Sequence, residues 1–357
     1  MSLFEAIGGA DTCRKLSTAF YARVDRDPVL RPLFPGTTLR CAIDAFAAFL
    51  VQFLGGPSED SQGRWWVSLD ESHRRFRIER QHRDAWMRHM DEALKDVGIA
   101  ETASAALRNF FEVASAHMID GKPDSRRMSR ELGRRWSAQR AVDAAVAAIR
   151  KGNADRAIKL AGGSPPAVLP GLLALMIGSG NGALIEFVHE RVTGDPALVH
   201  QRYGSRTLLH WAAGAGSLST VEILLRLGAD PNVLDGGKHT PLYCTGNECA
   251  GGESAEVVRA LVRGGAQVDA RDGVTGATAL HMAARRGNTV VAKALLDCGA
   301  DINVRDRHGD TPLQRAINCK KAHVAELLRL WRDVKEYSPQ RRRDAEKTKI
   351  KVKNGER

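Results

Sequence analysis

No run of eighteen consecutive apolar residues occurs in the 357-residue chain, so the sequence offers no membrane-spanning helix. The opening Met1-Ser2-Leu3-Phe4-Glu5 lacks a basic segment leading into an apolar one, and a cytoplasmic location is expected. Cysteine is sparse, with six residues at 13, 41, 244, 249, 298 and 319. That scatter suits neither a disulfide framework nor a four-ligand zinc site. Cys244 and Cys249 lie closest together, but no His or Cys follows them at finger spacing, so free thiols are expected. Aromatic residues make up only 6% against 43% hydrophobic, and no flavin or nicotinamide fingerprint is present.

Acidic residues are also in deficit: 42 against 53 basic, a formal charge of +11. Part of that excess lies in residues 338–357, which are nearly devoid of apolar side chains and read as a disordered basic tail. A second basic stretch runs from Arg126-Arg127 to Arg134-Arg135, where the first domain ends. Both read as solvated linker and tail, so nucleic acid is not the expected partner. The chain is too long for one compact domain and calls for two or three.

Repetition organises the second half. The strings Thr207-Leu208-Leu209-His210-Trp211-Ala212-Ala213, Thr240-Pro241-Leu242-Tyr243, Thr278-Ala279-Leu280-His281-Met282-Ala283-Ala284 and Thr311-Pro312-Leu313-Gln314-Arg315-Ala316 begin 33, 38 and 33 residues apart. An apolar helix follows each, and the first three units close on a Gly-Ala turn at Gly228-Ala229, Gly265-Ala266 and Gly299-Ala300. The threonines can cap free amides, and Pro241 and Pro312 fall where no donor is lost. A helix pair of this size cannot bury its own apolar face, so neighbours must stack. The five extra residues of the longer spacing fall near 246–252, as a loop between two helices. Weaker copies span Val142 to Leu160 and Leu172 to Val188.

These strings resemble the ankyrin repeat, whose signature is Thr-Pro-Leu-His-x-Ala at a 33-residue period. The resemblance implies four repeats over 206–335, preceded by degenerate units over 139–205. It also implies that His210 and His281 are structural, bonding neighbouring turns, and that the array binds a protein partner the sequence does not identify.

The first 120 residues show helical periodicity in Leu16–Val24, Ala42–Leu54, Arg83–Val97 and Ser104–Met118, with an irregular stretch expected from Ser58 to Asp70. The order Phe20-Tyr21, Leu33-Phe34-Pro35, Phe49-Leu50, Gly55-Gly56-Pro57, His73-Arg74-Arg75-Phe76-Arg77-Ile78 and Arg83-Asp84-Ala85-Trp86-Met87 resembles the group II truncated haemoglobins. The expected fold class is therefore all-α, a 2/2 globin over 1–120 joined by a basic linker, 121–138, to an α-helical ankyrin solenoid, with a tail from 336 to 357.

By that resemblance the cofactor is haem b and His73 is the proximal iron ligand. Phe34 packs on the porphyrin, Tyr21 and Trp86 donate hydrogen bonds in the distal pocket, Ala42 and Phe46 stand at distal-helix positions, and Phe76 also contacts the cofactor. Tyr21 could instead bond a helix carbonyl, and Trp86 could simply fill the core. The distal-helix positions that carry His or Gln in other globins fall on Ala42 and Phe46, which leaves the route to the iron open. Ala45 cannot pair with a haem propionate, so Arg74, Arg75 or Arg77 is expected to do so. Neutral imidazole suits haem iron and leaves the opposite side for O2, CO or NO. The expected function is binding of such a diatomic, localised or signalled by the repeats. The alternative is a redox enzyme, an NO dioxygenase or peroxidase, which would need an external reductase.

Overall fold

The structure is a computed structural model that describes residues 2–57, 68–74, 76–120, 128–249 and 253–336. The expected basic tail beyond Glu336, most of the expected irregular stretch and Arg75 lie outside these residues. Two compact units form, one running to Phe187 with Gln201–Ser205 added, the other made of Val188–His200 and the chain from Arg206 onward. Among the described residues no helix is long and apolar enough to cross a membrane.

The first unit contains helices α1 (Leu3–Ala6), α2 (Gly9–Val24), α3 (Arg40–Leu54), α4 (Leu69–His73), α5 (Arg80–Val97), α6 (Glu101–Asp120), α7 (Arg130–Arg150), α8 (Ala154–Gly162) and α9 (Leu169–Ser179). Each of the four amphipathic segments read from sequence becomes a helix that begins earlier than its apolar pattern. α2 packs on both α3 and α5, and α5 on α6. Their apolar faces supply one core in which Phe20, Leu50, Leu54, Met90, Leu94, Leu107 and Phe110 are almost fully buried. Asp70, placed in the irregular stretch by sequence, is instead inside α4.

The segment read as a basic linker needs correction where it is described. From Arg130 onward it is α7, begun by Ser129, whose hydroxyl accepts from the Leu132 amide. Leu132 and Trp136 are buried in the same core as α2, α3 and α6. Burying two such side chains contributes about 1.5–3 kcal/mol each. Arg135 donates to the Phe53 carbonyl near the C-terminal end of α3, where a cation suits the exposed carbonyls. Gly55, at φ +86°, turns the chain there, and a Cβ on it would strike the Arg135 guanidinium at 2.4 Å.

The second unit is a stack of helix pairs: α11 (Leu208–Ala215) with α12 (Leu218–Arg226), α13 (Pro241–Glu248) with α14 (Ser254–Arg263), α15 (Ala279–Arg286) with α16 (Thr289–Asp297), and α17 (Pro312–Asn318) with α18 (Ala322–Glu336). α10 (Gly182–Gly194) precedes them in the chain. First helices pack on first helices from one pair to the next, and second on second. Thr207, Thr240, Thr278 and Thr311 are the N-caps of the first helices. The longer spacing falls between α13 and α14, and residues 250–252 within it are outside the described set.

His210 and His281 are fully buried. The Nδ1 of each accepts from its own repeat's Thr207 or Thr278 amide at 3.2 Å, and Nε2 reaches the His239 or Asp310 carbonyl of the next repeat at 3.1 and 3.0 Å. Asn232 bridges repeats in the same way, donating to the Gly265 carbonyl and accepting from the Gln267 amide. Gly246 marks a close approach of backbone to backbone: a Cβ there would lie 2.4 Å from the Ala279 carbonyl oxygen of the next pair.

Candidate functional site

A cavity of about 270 Å³ opens within the first unit, walled by α2, α3, α5, α6 and the Leu30–Leu39 segment, with α4 along one side. All seven residues singled out from sequence line it: Tyr21, Phe34, Ala42, Phe46, His73, Phe76 and Trp86. Their rings form a connected series. His73 meets Phe76 at 6.3 Å, Phe76 meets Phe34 at 5.8 Å, Phe34 meets Tyr21 edge-on at 5.6 Å, and Phe46 stands 6.3 Å from Tyr21 and 6.4 Å from Trp86.

His73 closes α4, a five-residue helix capped by the Ser68 hydroxyl, which accepts from the Glu71 amide. Its Nδ1 lies 2.9 Å from the Leu69 carbonyl and 3.0 Å from the Ser72 hydroxyl, whose own proton points to that carbonyl. A carbonyl can only accept, so this network assigns the proton to Nδ1 and the lone pair to Nε2. That tautomer is the one an iron ligand needs, and the bond at Nδ1 raises the basicity of the other nitrogen.

Two further wall residues, Tyr21 and Trp86, carry hydrogen-bond donors. Burial pushes the Tyr21 hydroxyl above its ordinary titration range, so it remains a neutral phenol with a proton to donate. Among the described residues neither that hydroxyl nor the Trp86 indole N–H has a hydrogen-bond acceptor. The sequence alternative of a helix carbonyl for Tyr21 is therefore not realised. Trp86 packs at 5.1 Å from Phe20 and 5.4 Å from Phe111, which fixes its indole plane.

The segment bearing Phe34 is clamped by charge. Arg31 donates to the Phe34 carbonyl at 2.6 Å and the Gly36 carbonyl at 2.7 Å while pairing with Asp25. Asp27 accepts from the Val29 and Leu30 amides, both at 2.8 Å, and from His89 Nε2 at 2.6 Å. Despite its burial, Asp27's carboxyl is held below the ordinary value by the bonds from His89 and those two amides.

The arginines expected to pair with a propionate do not stand on the cavity wall where they are described. Arg74 and Arg77 are exposed and are not among the residues that line the cavity, whereas Phe76 between them is. Arg75 lies outside the described residues. Arg83 lines the cavity instead, and its buried Nε has no partner among the described residues. Its signal was available: Arg83 sits three residues before Trp86 on α5 and shares its face. His82 and Cys41 also reach the wall. An apolar, ring-lined cavity with one imidazole protonated on Nδ1, two unengaged donors on its wall and one unpartnered guanidinium nitrogen fits haem. Among the described residues no cluster of three His, Cys, Asp or Glu side chains could hold a bare metal ion, and Cys244 and Cys249 are buried free thiols.

Residues 2–120 match the Bacterial-like globin family. Residues 205–236 match a single Ankyrin repeat, and 247–336 match Ankyrin repeats in three copies. Group 2 truncated hemoglobin YjbI of Bacillus subtilis (strain 168) is 32% identical over 117 residues, which cover 33% of this chain and 87% of that protein. Protein PhlB of Serratia liquefaciens is 36% identical over 130 residues, 35% of this chain, and the chain spans about half, 51%, of its length. The solved hemoglobin of Chloroflexus aurantiacus is 38% identical, covers 34% of this chain and 98% of its own, and superposes with a TM-score of 0.32.

Proposed function

Because the chain belongs to the group 2 truncated haemoglobins through its first 120 residues and carries ankyrin repeats after them, we propose that it binds haem b through His73. The bound group supplies an iron that can take O2, CO or NO. The protein's part is to hold and shape. His73 presents Nε2 while Leu69 fixes its tautomer. Phe34, Phe46 and Phe76 supply an apolar bed that excludes water, and Arg83 offers its guanidinium to a propionate. Tyr21 and Trp86 donate to the diatomic, which suits retention of the ligand more than rapid release. The repeats dock a protein partner, so that the haem chemistry is delivered to, or reported by, that partner.

The observation that carries this reading is the convergence of all seven residues on one cavity with His73 in the ligating tautomer. The test is spectroscopic. The full chain, purified with haem supplied, should show a Soret band, and His73→Ala should abolish the five-coordinate ferrous spectrum while the repeats stay folded by circular dichroism. A His73→Ala spectrum identical to the parent's would remove His73 from the iron.

A further inference from the structure

α4 is too short to hold itself together, since a single helical turn is unstable without tertiary contacts. Its anchors come from α7, beyond the span that matches the globin family. Asp143, 2% exposed, accepts the Leu69 amide on Oδ1 at 2.7 Å, and Gln139 donates to the same oxygen at 3.2 Å. Arg140 donates to the other oxygen of Asp143 at 3.0 Å and to both oxygens of Asp70 at 2.9 Å. Arg150 pairs with Glu71 at 2.8 Å, and His117 of α6 approaches Asp70 at 3.3 Å. The charges of α4 that precede His73 are thus met mainly from α7.

The path to the imidazole is short. Leu69 gives its N–H to Asp143 and its carbonyl to His73 Nδ1, so one residue joins the carboxylate of α7 to the ring. We propose that α7 seats the proximal histidine, with Asp143 and Arg140 as positioning residues for His73. The seat of the iron's ligand is then built partly from the helix that leads into the repeats. The proposal rests on the reading of His73 as the iron ligand. Asp143 carries more of the effect than the Arg140–Asp70 pair, whose side chains are 34% and 45% exposed and therefore screened.

The test uses the full chain carrying Asp143→Ala, Asp143→Asn, Arg140→Gln or Val146→Ala. Val146 is buried on α7 but is not in the core that α7 shares with α2, α3 and α6. Two signals are read: exchange of the Leu69 amide in haem-free protein, and the iron–histidine stretching band of ferrous protein loaded with haem. Asp143→Ala should speed Leu69 exchange about 5- to 150-fold and shift the band. Asp143→Asn, whose carboxamide oxygen still accepts, should keep most of the protection. Arg140→Gln should shift the band less than Asp143→Ala. Val146→Ala should lower the unfolding midpoint and leave both signals alone.

Both signals unchanged in Asp143→Ala, or an equal change in Val146→Ala, would overturn the proposal. Where Asp143→Ala fails to fold, Arg140→Gln decides it, and a parental band in that variant overturns the proposal. A parent chain that takes up no haem refutes the underlying reading and the proposal together. Haem uptake by the parent, with both signals unmoved in Asp143→Ala, refutes the proposal alone.

Discussion

Replacing Tyr21 by Phe removes one oxygen atom and leaves the packing in place. The ring meets Phe20 at 5.0 Å, Phe34 at 5.6 Å and Phe46 at 6.3 Å, all through edges and faces that phenylalanine retains. The hydroxyl has no acceptor among the described residues and sits in an apolar enclosure, so any bond to a polar ligand is made at no cost in broken protein bonds. A hydrogen bond to a group carrying charge contributes about 1.5–3 kcal/mol, or roughly 10- to 150-fold in dissociation rate. Tyr21→Phe should therefore speed O2 release from the full haem-loaded chain by that factor, measured by stopped-flow ligand replacement. CO, a weaker acceptor, should be released at nearly the parental rate. Since burial raises the phenol's titration point, the parent's O2 release should be flat from about pH 6 to 9. An O2 rate within twofold of the parent, or an equal rise for O2 and CO, would refute the donor role; the second result would mean that access had changed instead.

Three further outcomes follow from named contacts. Arg83→Gln should speed transfer of haem to apomyoglobin by about fivefold, the worth of one partly screened pair, while Arg77→Gln should not; equal transfer rates in the two would remove Arg83 from the propionate. Burial holds the imidazole of His281 below its ordinary value, so protonation favours the unfolded chain: this contribution is complete above about pH 6.5 and is lost as pH falls through the lower folded value. The urea midpoint of the repeats should accordingly drop between pH 7.5 and 5 in the parent and drop less in His281→Gln, and parallel curves would contradict it. Gly246→Ala drives a Cβ against the Ala279 carbonyl oxygen and should cost about 1–3 kcal/mol; Gly178→Ala in α9, where nothing lies within 4 Å, should gain about 0.5–1 kcal/mol, and the reverse order by thermal melting would count against the stacking argument.

What the sequence made legible depended on whether the physics was local. The Thr-x-Leu-His strings announce a cap and a helix start within four residues, and Thr207, Thr240, Thr278 and Thr311 are caps in the structure. Tyr21, Phe34, His73 and Trp86 were found because the resemblance fixes their order along the chain. Charge on the cavity wall was harder to read. Arg74 and Arg77 were chosen for closeness to His73 in sequence and are exposed, whereas the arginine that lines the cavity, Arg83, comes from another helix. In α7 the arginines hid a buried stripe: Leu132, Trp136, Gln139, Asp143 and Val146 recur at helical spacing and are buried. Read by charge the segment is a linker; read by period it is a helix with one face in the core.

That double reading bears on where the globin ends. α7 packs on α3 and α4 through Leu132, Trp136, Arg135 and Asp143, and on α8 and α9 elsewhere along its length. A helix packed on both sides favours joint unfolding of its neighbours, and the expectation is that the first unit unfolds as one through α9. Any ligand that binds only the folded form stabilises the whole cooperative unit by RT ln(1 + [L]/Kd), whichever residues touch it. On the proposed reading, loading of the pocket at His73 therefore stabilises α8 and α9 as well as the globin, though neither helix lines the cavity.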